Sequence, residues 1–153
     1  MSSTKVGKVV KLFVSTSEGR IEKKEIALDE KGVLEDKYYD TNANRSVLIT
    51  SLYSYILASE NFIDVKYGQL GENLLIDYNP YHLTSASRLR IGDVILQISQ
   101  NCTLCKSLTK VDSKLPKLLK DDRGIFAQVV QSGTIKISDN IYLLNDDNSE
   151  IKY

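Results

Sequence analysis

Two cysteines stand three residues apart in the segment Asn101-Cys102-Thr103-Leu104-Cys105, with Lys106 immediately after and Lys110 close by. A thiolate is both a nucleophile and a metal ligand, and nearby positive charge favours its formation. Three kinds of chemistry are open to this C-x-x-C. A closed zinc site needs four Cys or His ligands. The chain holds two cysteines and one histidine, His82, so one copy cannot complete that set. A thioredoxin-like dithiol belongs between a strand and a helix in a βαβ unit, and Lys106 to Asp112 shows poor helical periodicity. The third possibility is a single reactive cysteine, Cys105, that ligates a cofactor metal or carries sulfur. Against all three stands the bland alternative of two small buried hydrophobic side chains.

Other candidates are weaker taken one at a time. Arg45 and Arg123 could each bind an anion with two parallel hydrogen bonds, although a lone arginine is ordinarily a solvated surface residue. Asn73, in Gly71-Glu72-Asn73-Leu74, could donate to a ligand oxygen or only satisfy a turn. Glu72 next to it is no carboxylate pair. His82 has no evident Ser or Asp partner for a hydrolytic triad. The chain has no G-x-G-x-x-G, phosphate-binding loop or G-x-S-x-G.

Many short strands and two short helices must position these residues, which points to a mainly β, barrel-like fold. Lys8 to Ser15 is the first apolar strand, and Ser17-Glu18-Gly19-Arg20 is a turn. A second strand follows at Lys23 to Leu28, with Ile26 and Leu28 on one face. Residues 29 to 44 are mostly loop. After a short apolar run from Ser46 to Thr50, a helix begins near Ser51, with Leu52, Tyr55, Ile56 and Ser59 at helical spacing. Leu74-Leu75-Ile76 is a further apolar run. Leu89 to Ser99 forms a strong strand, apolar on both faces through Val94-Ile95-Leu96. Ser113 is placed to cap a helix over Lys114 to Lys120, with Pro116 in its first turn. Ile125 to Val130 is expected to form a hairpin with Thr134 to Ser138. Ile141 to Leu144 closes the fold, and Asn145 to Tyr153 is expected to fray.

Composition narrows the function classes. The 153 residues suit one domain. Lys+Arg and Asp+Glu both number 20, which lacks the basic excess of a nucleic-acid binder. No run approaches the ~20 apolar residues of a membrane span. The first residues carry no apolar signal-peptide core. The expected location is therefore the cytoplasm, where thiols stay reduced and a structural disulfide is disfavoured.

Six short motifs, in order, resemble the MOSC family, named for the C-terminal domain of molybdenum cofactor sulfurase. They are Gly7-Lys8-Val9-Val10, Arg45-Ser46-Val47-Leu48-Ile49, Gly71-Glu72-Asn73-Leu74, Leu89-Arg90-Ile91-Gly92-Asp93-Val94, Cys105 and Arg123-Gly124-Ile125-Phe126-Ala127-Gln128-Val129. The resemblance covers about residues 7 to 144 of a single MOSC domain. The chain departs from the family pattern G-x-x-G-D-x-H at Gly32 to Tyr38, where Glu35 replaces the second glycine and Tyr38 the histidine. The closing G-D of the family is Ser138-Asp139 here. Larger relatives carry an extra N-terminal β-barrel, so this chain looks like the stand-alone type. The resemblance implies a β-rich barrel and one of two roles for Cys105. It would carry a sulfane sulfur received from a pyridoxal-phosphate-dependent cysteine desulfurase, or it would ligate the molybdenum of a bound cofactor that reduces a small N-hydroxylated substrate. A binding module that passes a pterin or metal to a partner is the alternative without turnover, and a Cys102–Cys105 redox dithiol a further one. Asn73, Arg45, Arg123 and Glu72 would then serve the cofactor, and Cys102 would assist Cys105.

Overall fold

The computed structural model describes residues 3–103 and 106–144, apart from the side chains of Lys106 and Ser107. Cys105 and the tail from Asn145 lie outside the described residues. The chain opens with one long strand, β1 (Ser3–Thr16), which turns at Ser17-Glu18 into β2 (Gly19–Lys23). β3 (Glu25–Asp29) and the short β4 (Gly32–Val33) follow, then β5 (Val47–Ser51), α1 (Leu52–Glu60) and β6 (Leu74–Ile76). β7 (Arg88–Ile91) and β8 (Val94–Asn101) precede two small helices, α2 (Lys106–Val111) and α3 (Leu115–Leu118). β9 (Ile125–Gln131), β10 (Gly133–Lys136) and β11 (Asn140–Leu144) complete the fold.

Seven strands close into a barrel in the order β11-β7-β8-β9-β5-β6-β1, with β1 returning to β11 and β2 added outside on β1. Closure removes the exposed edges that an open sheet would offer to other chains. β1 can serve three partners because it bends. It pairs with β11 from Ser3 to Lys8, with β6 from Val9 to Leu12 and with β2 from Leu12 to Thr16, and its register slips between Lys5 and Gly7 and again between Val9 and Lys11. Such bulges turn a strand from one sheet direction to the next. Gly7 permits the first bend, since a Cβ there would lie 2.2 Å from Asp77 Oδ1, which accepts from Lys8 N–H at 2.7 Å.

β5 and β6 are parallel neighbours, so the chain must cross over between them, and α1 is in that crossover. Ser51 caps α1 by accepting from Tyr53 N–H at 3.1 Å. The barrel interior holds residues such as Leu12, Val47, Ile49, Leu74, Leu89 and Ile98. A second apolar cluster lies where α1, α2 and α3 meet the barrel, with Tyr55, Ala58, Leu75, Leu108 and Leu115.

Several expectations need correction. The single strand from Leu89 to Ser99 is the β7–β8 hairpin, because Gly92 takes φ 58° and turns the chain. β10 does not pair with β9. β9 pairs with β8 along its length and with β5 over Ile125–Ala127, whereas Ile135 faces Ile26 of β3, in a separate sheet of β10, β3 and β4. The strand expected over Lys23 to Leu28 belongs to two strands, β2 and β3, although Ile26 and Leu28 are buried as their spacing required. Lys106 to Val111 is helical despite its weak periodicity, because Leu108 and Val111, three residues apart, anchor it in the second cluster. That helix follows the C-x-x-C directly, but the strands on either side, β8 and β9, are antiparallel and form no βαβ unit. Ser113 caps nothing in α3, whose cap position is Lys114, while Asp112 accepts from Lys114 N–H at 2.8 Å. Ile56, placed in the inward stripe of α1, faces solvent, and Ser54 and Ala58 point inward.

Leu74 has no exposed surface and joins β6 to both β5 and β1. Leu74→Ala is expected to lower unfolding stability by about 2–5 kcal/mol through the lost burial and the cavity left behind. Chemical denaturation with an unchanged m-value would confirm that magnitude.

Candidate functional site

At one end of the barrel lies a cleft of about 490 Å³, lined among others by Arg20, Lys37, Tyr38, Arg45, Asn73, Cys102 and Arg123. Its cations come from four separate stretches of chain. Arg20 opens β2, Lys37 sits in the loop after β4, Arg45 ends the short 3₁₀ turn before β5, and Arg123 precedes β9. Arg45 is exposed and its guanidinium lies 5.7 Å from the ring centre of Phe126. Arg123 is only 4% exposed, so its charge is presented from the wall rather than from the rim.

Arg20 is held by its own contacts. Its guanidinium donates to Ser15 Oγ and to the backbone carbonyl of Glu72, and sits 5.5 Å from the centre of the Phe13 ring. Burial of that head group lowers its pKa from the ordinary arginine value, and the nearby Glu72 and Asp36 carboxyls oppose the shift. A guanidinium remains charged at any working pH. Arg20 therefore presents a fixed positive charge, whereas the exposed Lys37 places its ammonium 5.1 Å from the centre of the Tyr38 ring and donates its backbone N–H to Ser15 O at 2.7 Å.

Beneath these cations runs a buried polar framework. Asp36 is 8% exposed and accepts from Ser15 N–H at 2.7 Å, Tyr38 N–H at 3.1 Å and Asn73 Nδ2 at 3.2 Å. Asn73 donates also to Phe13 O at 3.2 Å and accepts from Leu48 N–H at 3.1 Å. Both polar atoms of its amide are thus engaged within the protein. Asn73 lines the cleft and holds β1, β5 and the Asp36 loop together.

Glu72 does not line the cleft. It is wholly buried, and Oε2 accepts from Thr50 Oγ1 at 2.6 Å and from Tyr55 OH. Its Oε1 has no hydrogen-bond partner among the described residues. Burial, then the Glu72 charge, pushes the Tyr55 phenol far above its ordinary value, so the hydroxyl stays protonated and donates to Glu72 while accepting from Gly68 N–H at 3.1 Å. α1 therefore grips the Gly71-Glu72-Asn73 segment from behind. It also supports the Arg123 side: Ser54 donates to Asp122 O and shares a 2.6 Å hydrogen bond with Tyr81 OH, which accepts from Ser51 N–H at 2.8 Å.

Cys102 is 3% exposed, packs with Leu48 and Phe126, and contributes to the cleft wall. Its N–H donates to Gly124 O at 3.0 Å, which fixes the start of the C-x-x-C against the segment carrying Arg123. Of the residues singled out by sequence, Arg45, Arg123, Asn73 and Cys102 share this cleft and Glu72 lies behind it. Cys105, assigned the central role, lies outside the described residues. Arg20 and Lys37 were missed. Arg20 had no signal beyond following a turn glycine, whereas Asp36 and Tyr38 could be found through the Gly32 to Tyr38 segment. Glu35 takes φ 73° there, the left-handed conformation that favours glycine, so the fold keeps the turn without the residue that suits it.

Comparison with known proteins agrees with this architecture. The family model of the MOSC domain matches residues 36–142. Among solved structures, the YuaD protein from Bacillus subtilis is similar with a TM-score of 0.80 at 15% identity, over 94% of this chain and 99% of that one. YiiM from Geobacillus stearothermophilus has a TM-score of 0.66 at 15% identity, over 94% of this chain and 76% of that one. YiiM from Escherichia coli has a TM-score of 0.66 at 18% identity, over 91% and 70%. Identities this low establish the shared fold. No curated protein matches the sequence. Among the described residues, no helix is long and apolar enough to cross a membrane.

Tyr55→Phe removes one donor to Glu72 and should cost about 1.5–3 kcal/mol at pH 7, the range for a hydrogen bond to a charged group. The raised phenol stabilises the fold below the ordinary tyrosine value near 10 and loses that contribution as pH rises toward the folded value. The variant lacks this alkaline loss, so denaturation at pH 7 and above pH 10 should show the difference from wild type narrowing.

Proposed function

The chain belongs to the MOSC domain family, and on that premise we propose that its cleft serves the molybdenum cofactor, with Cys105 as the anchoring or sulfur-bearing thiolate. The observation that carries this reading is the gathering of Arg20, Lys37, Arg45 and Arg123 around one cavity whose acid, Asp36, is engaged by internal donors. Four cations against one saturated carboxyl favour a ligand with several negative charges, and a volume of about 490 Å³ suits a small organic cofactor. These residues fit a pterin that carries a phosphate. Arg45 and Arg123 can grip phosphate oxygens, and Arg20 adds a fixed charge. Leu48 and Phe126 give the cleft an apolar wall for a planar ring.

When bound, the cofactor supplies the metal redox chemistry. The protein contributes position and charge. One thiolate suffices to ligate a metal that brings its own dithiolene sulfurs. In the sulfur-carrier form of the same reading, Cys105 holds a sulfane sulfur donated by a pyridoxal-phosphate-dependent cysteine desulfurase, and Cys102 assists its release by exchange. A small N-hydroxylated compound is the substrate class for the reductive form.

The test is to express the protein in a cofactor-producing host and measure bound molybdenum and pterin per chain. In parallel, each variant is loaded with a desulfurase and free cysteine, and cyanolysable sulfur is counted. Cys105→Ser should abolish loading, Cys102→Ser should reduce it only partly, and Arg123→Ala should lose bound pterin. Equal loss in both cysteine variants would favour the dithiol. No metal, pterin or sulfur on the wild type would leave the cysteines as part of the fold.

A further inference from the structure

α1 buries Ser54, Tyr55 and Ala58, yet its solvent side is apolar as well. Tyr53 is 42% and Ile56 54% exposed, and Tyr67, beyond the helix, is 47% exposed. A helix that is apolar on both sides is one whose outer face calls for a cover. At its end stands Phe62, 99% exposed, with φ 61°. The chain there makes a Schellman turn, in which Phe62 N–H donates to Ser59 O at 3.0 Å and Ile63 N–H to Ala58 O at 2.9 Å. The left-handed position of that turn belongs by preference to glycine. Phenylalanine strains the backbone there, and its ring, almost wholly in water, recovers nothing by burial.

The ring forms one wall of a groove of about 560 Å³, whose other walls include Tyr55, Ile56, Ile63, Val65 and Tyr67, with Asp64 at its edge. A protruding ring and a groove walled by Ile56, Ile63, Val65 and two tyrosines on one patch are what a twofold axis can satisfy, each ring entering the other copy's groove. We propose that this face joins two copies of the chain in a symmetric dimer.

Area and charge favour a second copy as the occupant. An aromatic side chain carries roughly 150–250 Å². All of Phe62 and about half each of Tyr53, Ile56 and Tyr67 thus present on the order of 500 Å² per copy. Two copies would bury about 1,000 Å², the lower bound for a specific interface. The patch carries exposed Glu60 and Asp64 together with exposed Lys66, so it holds both signs of charge. Across a twofold axis Lys66 of each copy can meet an acid of the other, and the pairing is made twice. The inference uses no part of the cofactor reading and stands or falls apart from it.

The test is sedimentation of the full chain over micromolar to high micromolar concentrations. A reversible dimer is expected. Phe62→Gly relieves the backbone strain while deleting the ring, so in the dilute range it should keep a Tm at or above that of the wild type. Its dimer dissociation constant should rise by at least about tenfold, as for loss of an anchoring aromatic residue. Ile56→Glu should weaken the dimer in the same way. A wild type that stays monomeric throughout would overturn the proposal and leave the patch to another partner. A dimer that both variants leave unchanged would overturn it by placing the interface elsewhere.

Discussion

The side chain of Asn73 joins three stretches of chain that no continuous strand pairing joins at that point. Its oxygen accepts from Leu48 N–H, and its nitrogen donates to Phe13 O and to Asp36. Its backbone does the same work, with Asn73 N–H donating to Leu48 O at 2.9 Å and Phe13 N–H donating to Asn73 O at 2.9 Å. The residue thus begins the three-stranded contact one residue before β6 starts. A buried amide is costly unless all its bonds are made. Here they are made only if β1, β5 and the loop after β4 meet in this geometry, and that meeting is what creates the cleft.

The cationic cleft depends on this framework. Like charges brought together repel, and they stay together where the scaffold holds their backbones. Asp36 fixes the backbone of Ser15 and Tyr38 on either side of Lys37. Arg20 is tied to the carbonyl of Glu72, whose carboxyl is gripped in turn by α1 through Tyr55. Arg123 follows the segment that Ser54 and Tyr81 support through Asp122. One helix therefore braces both walls, and the same helix carries the exposed patch ending at Phe62.

Much of the barrel was legible because its signals are local. Ile26 and Leu28 alternate as a half-buried strand must, Ser51 caps α1, and the Val47 to Ser51 run is buried throughout. Pairing was less legible, because partner choice depends on which edges are free. Thr134 to Lys136 alternates well enough for any neighbour, and nothing in that alternation selects β3 over the sequence-adjacent β9. At the site, the motif residues Arg45, Asn73 and Arg123 were found, but the amide of Asn73 gave no sequence sign that its bonds were already used. Arg20 was missed because the β1–β2 turn delivers it to the cleft, and a turn glycine does not say what the next side chain will meet. Glu72 stood beside Asn73 in sequence and so seemed to share its surface. The two side chains leave the segment before β6 on different sides, and only Asn73 lines the cleft.

On the proposed reading, Arg20, Arg45 and Arg123, which line one cleft, act together on one anion. The most direct measurement is a titration with pyrophosphate followed by nuclear magnetic resonance of backbone amides and arginine Nε–H groups. Saturable shifts confined to those three arginines, Lys37, Ser46 and the Gly71 to Asn73 segment are predicted. Shifts scattered over the lysine-bearing surface, or none at concentrations that saturate ordinary phosphate sites, would contradict the account.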